Sequence, residues 1–311
     1  MPSPIAAVAG KVEELLVALV VVVGAIGIAA PGPPRSATGA GAVDPTLAVL
    51  VFTAGLTVEA AALARARRRW PRVLTALAVS SIALPALAWA LSHLVSGPAR
   101  GAILAVGVAP SEVASLGLAA MAGGEVAISA ALLVASSAVA VVASGPILSL
   151  LSGAAGVHTE GVLITLALVV AVPLAAGVAA RRLLVGDSAV VLGAGRLLGN
   201  AALLVLLWEV TGEVRVQASY LAVVAALAGF LAGAGGLGWL LSRGLDLPAR
   251  PAVLLPVAMR DFAVATGIAS SAFGPAAVGP LGIYGMLVLV GGAMVARFAA
   301  RPGRAGVKEP S

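Results

Sequence analysis

Ten runs of apolar residues follow one another along this chain, each close to the length that crosses a bilayer. Hydrocarbon about 30 Å thick needs roughly 20 helical residues to span it. Against lipid, every backbone N–H and C=O must be paired within the chain, which leaves helices or a closed barrel. The runs lie at 15–30, 45–64, 73–95, 102–122, 126–151, 162–180, 197–214, 218–241, 252–272 and 278–298. They are numbered here as segments one to ten, and they predict an all-α polytopic membrane protein of ten transmembrane helices. Connections are short, so 1–311 reads as a single membrane domain with no soluble appendage. Composition agrees, at 61% hydrophobic and only 10% charged, where a soluble domain is about a quarter charged. The absence of cysteine excludes disulfides, thiol nucleophiles and thiolate metal sites.

The basic residues set an orientation. Fifteen of the nineteen Lys and Arg fall on one side: Lys11, the run at 65–72, and those at 181–196, 243–250 and 297–308. Arg35, Arg100 and Arg215 make three on the other side, and Arg260 falls inside segment nine. The excess marks the cytoplasmic side. Both termini are therefore expected in the cytoplasm, in a multi-pass protein of the inner cell membrane. The net charge of +6 follows this topology and does not indicate nucleic acid. Glu13 and Glu14, beside the first apolar run, argue against a cleaved secretory signal there.

Segments four and nine are unlike the others. Segment four carries Pro110 and then Glu112, and segment nine carries Pro256 and then Arg260 and Asp261. Proline lacks an N–H and clashes with the carbonyl four residues back, so Pro110 and Pro256 are expected to break the two helices. An ionisable residue at mid-membrane costs about 2.5–3.5 kcal/mol on insertion scales and defaults to a functional reading. The stretch "GVAPSEVASLGLAA" at 107–120 lies on "PVAMRDFAVATGIA" at 256–269 with an offset of 149 residues, which puts Glu112 on Asp261. The two stretches lie five segments apart, an odd offset, so such repeats run in opposite directions through the membrane. Inverted repeats with discontinuous helices at the midplane are a transporter architecture. The expected repeats are about 12–153 and 160–300. The breaks are expected to cross and to bring Glu112, Arg260 and Asp261 together, with Arg260 paired to one carboxylate and the other acid binding a cation or a proton.

Several stretches carry a resemblance to a known family. "LAVLVFTAGLTVEAAAL", "LPALAWALSHL" and above all "PSEVASLGLAAMAGGEVAISAALLVASSAVAVVASGPIL" resemble the bile acid:sodium symporter family of the bacterial ten-helix type. In the third stretch Pro110, Ala114, Ser115, Gly124, Val126, Ala127 and Ser129 fall in register with the family's pattern. The resemblance implies a core bundle with helices four and nine broken and crossing. A panel bundle of segments one, two, six and seven would stand beside it. It implies alternating access and uptake of an organic anion, such as a bile acid or a small carboxylate, with sodium. Ser115 and Ser129 stand where the family places hydroxyl ligands for sodium, with Glu112 added here as a tentative ligand. Ser80 stands where a Gln contributes. The likeness then departs: Leu116 replaces an Asn, Leu133 a Thr, Pro256 an acid, and Arg260 and Asp261 a Gln-Asn pair. Hard cations need several oxygen ligands, and leucine offers none, so sodium coupling is expected to be altered or lost. Two rescues are open. The acids rebuild a cation or proton site, or the guanidinium of Arg260 sits in place of a sodium.

Among the remaining polar residues, Thr266 and Asn200 are candidates to line the cavity. Glu59 is expected to pair near a helix end, Glu125 to cap segment five, and Glu209, beside Trp208, to mark the outer membrane interface. The arginine run at 65–72 is expected to be a cytoplasmic anchor, within reach of anionic lipid. An intramembrane aspartyl protease built on Glu112 and Asp261 is disfavoured, because a dyad shares one proton between free carboxylates and Arg260 is adjacent. The chain is thus expected to be no enzyme and to need no cofactor beyond a sodium ion or proton. An uncoupled, channel-like facilitator and a proton-linked transporter or exporter of the same fold remain the alternatives.

Overall fold

The computed structural model describes residues 4–59, 64–153, 159–185, 188–215 and 220–299. The first helices are α1 (Pro4–Ala29), α2 (Gly32–Gly39), α3 (Val43–Thr57), α4 (Trp70–Ser92), α5 (Pro98–Val108), α6 (Ala114–Met121) and α7 (Val126–Ser152). Then come α8 (Thr159–Leu166) and α9 (Val172–Ala180), joined through a π turn at Ala167–Ala171. The last are α10 (Ala189–Gly212), α11 (Tyr220–Ser242), α12 (Ala249–Ala258), α13 (Phe262–Phe273) and α14 (Gly279–Ala299). Among the described residues, six helices are long and apolar enough to cross a membrane: α4, α7, the α8–α9 rod, α10, α11 and α14. A seventh is counted if α1 and α2, bent by 90° to one another, form one span. The chain is a multi-pass, all-helical membrane protein. His158, Arg301, Arg304 and Lys308 lie outside the described residues.

The other expected spans are shorter or interrupted, each for a local reason. Segment two was expected to run to 64, but α3 ends at Thr57 and Val58 is extended. Arg181 donates to the Leu56 carbonyl at 2.9 Å, placing a cation on the last turn, where the helix dipole favours it. Pro173 explains the π turn of segment six. It has no N–H to give and its ring crowds the carbonyl of Val169, so the turn before it widens. The short helix α2, which the hydropathy pattern did not distinguish, begins with Pro33 and Pro34 in its first turn.

The helices pack in two groups. In one, α1 and α3 lie on α10, and α3 also lies on α9. In the other, α4 packs on α5, α7 and α11, while α12 packs on α7 and α11. The groups meet where α10 and α1 lie on α14 and where α8 lies on α7 and α13. The α3–α9 contact is made by two glycines. A Cβ on Gly55 would meet the Leu174 carbonyl, and one on Gly177 would meet the Phe52 carbonyl. This is backbone-to-backbone packing of the small-residue kind common between membrane helices.

At the end of the second group near α4's N-terminus, three loops are tied together by charge. Asp246 accepts from Arg69 at 2.8 Å and from Arg72 at 3.1 Å, and Arg69 Nε lies 3.6 Å from Glu125. Desolvation alone would raise the Asp246 carboxyl. Hydrogen bonds from its own amide and from Arg69, with the charges of Arg69 and Arg72, outweigh that and hold it below the usual carboxylate value. The tie is therefore charged at neutral pH. Arg69 and Arg72, from the basic run, thus face carboxylates. Glu125 occupies the N-cap position of α7 but makes no side-chain cap bond, because its carboxylate leans to Arg69.

Candidate functional site

Segment four breaks where its proline requires. Ala109, the residue before Pro110, is extended (φ −62°, ψ 152°), as a pre-proline residue prefers. Helix α5 therefore stops at Val108, whose freed carbonyl accepts the Ser144 hydroxyl at 3.3 Å, and α6 restarts at Ala114. Segment nine breaks differently from the expectation. Pro256 lies inside α12, and the interruption comes at 259–261, with Met259 extended. What starts the new helix is Asp261, whose Oδ1 accepts the amides of Ala263 and Val264, each at 2.9 Å, as an N-cap. Pro256 instead leaves the Ala252 carbonyl without its intrahelical donor, and the Ser129 hydroxyl from α7 supplies one at 3.1 Å.

The two breaks cross. Ser111 and Arg260 form an isolated antiparallel bridge. The Glu112 amide donates to the Met259 carbonyl at 2.9 Å, and the Asp261 amide donates to the Pro110 carbonyl at 2.8 Å. Each bond is the counterpart of the other under the 149-residue offset, and so are the bridge residues themselves. The counterparts extend outward. The Ser111 amide donates to the Ser136 hydroxyl on α7 at 3.0 Å, and the Arg260 amide to the Tyr284 hydroxyl on α14 at 3.3 Å. Ser136 and Tyr284 were missed in the sequence. The signal was available, since Tyr284 is one of only two tyrosines and sits inside an apolar segment.

Replacing Tyr284 by Phe leaves the buried Arg260 amide without an acceptor. The expected cost is about 1–3 kcal/mol, read as a lower unfolding midpoint of the purified protein. An unchanged midpoint would mean that the amide finds another partner.

The three charges converge on the crossing, but not as a salt bridge. Glu112 Oε2 accepts the Phe262 amide at 3.3 Å, so both carboxylates sit on the N-terminal amides of α13. Arg260 is 5% exposed and lines a narrow cleft with Ser81, Pro85, Ser136 and Ser144, between α4, α5 and α7. Among the described residues it meets no carboxylate within 4 Å, and its buried Nε has no partner. The expected Arg260–carboxylate pair is absent because amides already hold the acids.

The residues that the resemblance places at sodium positions have different partners. Ser115 is fully buried with its hydroxyl unpartnered, while Ser129 bonds to Ala252. Leu116 and Leu133 are buried in one apolar cluster with Val58 and Ala130. Ser80 bonds to Leu77 and Thr266 to Phe262, each within its own helix, and Ser81 rather than Ser80 faces Arg260. Asn200 is half-buried with Nδ2 unpartnered. Glu59 pairs with exposed Arg65 at 3.3 Å, near the end of α3 as expected. Glu209 is buried within the protein, with its carboxylate on Thr46 and its carbonyl on Thr38 of α2.

A model of the sodium bile acid symporter family matches residues 44–222, more than half of the chain. The chain belongs to that family. No curated protein matches it. Members of the sodium bile acid symporter family are membrane transporters of small organic solutes, not enzymes. The match includes Glu112, Ser115 and Ser129 and stops short of Arg260 and Asp261.

Proposed function

We propose that this protein is a secondary transporter of an organic anion, bile-acid-like or a small carboxylate, with a resident guanidinium in place of a coupling sodium. It works as a single transporter domain of ten spans in two inverted five-helix repeats. The group α1, α3, α9 and α10 acts as the panel and the other group as the core, and alternating access moves one against the other. It sits in the inner membrane with both termini cytoplasmic.

One observation carries the reading: two broken helices bridged at Ser111 and Arg260, with a buried guanidinium that pairs with no carboxylate. With one of the two acids protonated, the charges around it balance without an added metal ion. Glu112 and Asp261 then contribute one negative charge and Arg260 one positive charge. The half-charges at the N-termini of α6 and α13 are offset by those at the C-termini of α5 and α12, which end at the same breaks. A bound sodium would leave a positive excess in a medium of low dielectric. The Leu116–Leu133 cluster supports the same conclusion, since it offers no oxygen where the family coordinates its cation. Coupling is then absent or carried by protons.

The test is uptake into proteoliposomes of purified full-length protein, offered a conjugated bile acid and short dicarboxylates under separate sodium and pH gradients. Uptake of one of these anions at equal rates in sodium and potassium is expected. Uptake that requires sodium would overturn the resident-cation reading.

A further inference from the structure

Glu209 is not used by the crossing, and its surroundings are unlike those of the other acids. It lies in the last turn of α10, is 2% exposed, and belongs to the panel rather than the core. Its Oε1 accepts the Thr46 hydroxyl at 3.3 Å, while the buried Oε2 has no partner among the described residues.

The short helix α2 covers this end of α10. The Thr38 hydroxyl donates to the Glu209 carbonyl at 3.3 Å, and Arg35 Nε donates to the Gly212 carbonyl at 2.8 Å. Pro34 packs where a Cβ on Gly212 would stand. Arg35 is the cation facing this end, and it is committed to the carbonyls of Gly212 and Val214. The other ionisable groups at this end are Asp44 in the first turn of α3, Glu213 and Arg215 just past α10, and Tyr220 beside Gly279. Arg215 is the positive one among them, and its side chain is exposed rather than turned to Glu209.

We propose that Glu209 is a proton-binding site of the panel, occupied while α2 is seated on α10. A buried carboxylate with one neutral hydrogen bond and one bare oxygen is too costly to persist, and such a group neutralises instead. The negative end of the α10 dipole acts in the same direction. The positive end of α3, from which Thr46 projects, acts the other way and keeps the proton releasable. A metal cation fits less well, because the side chains present here offer too few oxygens for a hard ion. The proton adds to Oε2 from solvent and returns to solvent when α2 lifts and wets the carboxyl. If the transporter reading holds, this is the site that links proton movement to the panel.

The test uses infrared difference spectroscopy on full-length protein in lipid vesicles, with pH as the only variable and no substrate added. At neutral pH the wild type should show a protonated-carboxyl band that is entirely absent from Glu209→Gln. Thr46→Val should keep that band and shift its frequency, which covers the case in which Glu209→Gln folds poorly. A carboxyl spectrum unchanged by Glu209→Gln would overturn the proposal. So would a band lost on adding sodium at constant pH, which would assign the site to a metal cation. Because the readout needs no transport, an intact band with no uptake would count against the transport reading alone.

Discussion

Arg260→Gln should turn a sodium-indifferent protein into a sodium-responsive one. Glutamine is the residue type that the resemblance puts at this position, and the change removes the side-chain positive charge at the crossing. Glu112 and Asp261 then face only the helix dipoles. Leaving one sign of a buried set uncompensated typically costs about 3–5 kcal/mol, so the variant is expected to melt well below the wild type in potassium or choline. A sodium ion held at a hundred times its dissociation constant returns about 2.7 kcal/mol. Most of the loss should therefore come back in sodium, and uptake with it. The measurement is the unfolding midpoint and the initial uptake rate in matched sodium and potassium buffers. Identical midpoints in both salts would remove the idea that the guanidinium stands in for an ion.

The second large effect is expected from the paired replacement Leu116→Asn with Leu133→Thr. Both leucines are buried in one apolar cluster with Val58 and Ala130. Introducing polar groups there without partners costs roughly 1–3 kcal/mol each on protein mutational scales. While Arg260 remains, the loss should be the same in sodium and potassium, because the charge at the crossing is already balanced. Combined with Arg260→Gln, the same pair should make the protein more stable in sodium than either change alone. Residues that share one site couple, so this gain should exceed the sum of the separate effects. A sodium response from the leucine pair by itself would show that the apolar cluster, and not the guanidinium, is what excludes the ion.

The two breaks illustrate how far local chemistry can be read. The break at Pro110 follows from the missing N–H and the pre-proline preference at Ala109, both of which are local. The same rule applied to Pro256 misplaced the second break by a few residues. There the interruption belongs to Asp261, whose carboxylate caps the new helix, while a hydroxyl from α7 compensates for the proline. That compensation comes from 123 residues away along the chain and has no local sign.

The sequence by itself determined the membrane class, the apolar segments and the meeting of residues 149 apart, because each rests on a property of short stretches. Apolar length decides what lipid accepts, and an intramembrane acid is costly enough that two of them at one offset carry information. Only the tertiary structure decided the partners. Amides rather than Arg260 took the two carboxylates, Thr46 reached the Glu209 carboxylate while α2 covered its carbonyl, and Arg69 drew Glu125 from its cap. Which donor reaches a buried oxygen depends on elements far apart in the chain arriving at one place, and that is a property of packing rather than of any stretch of residues.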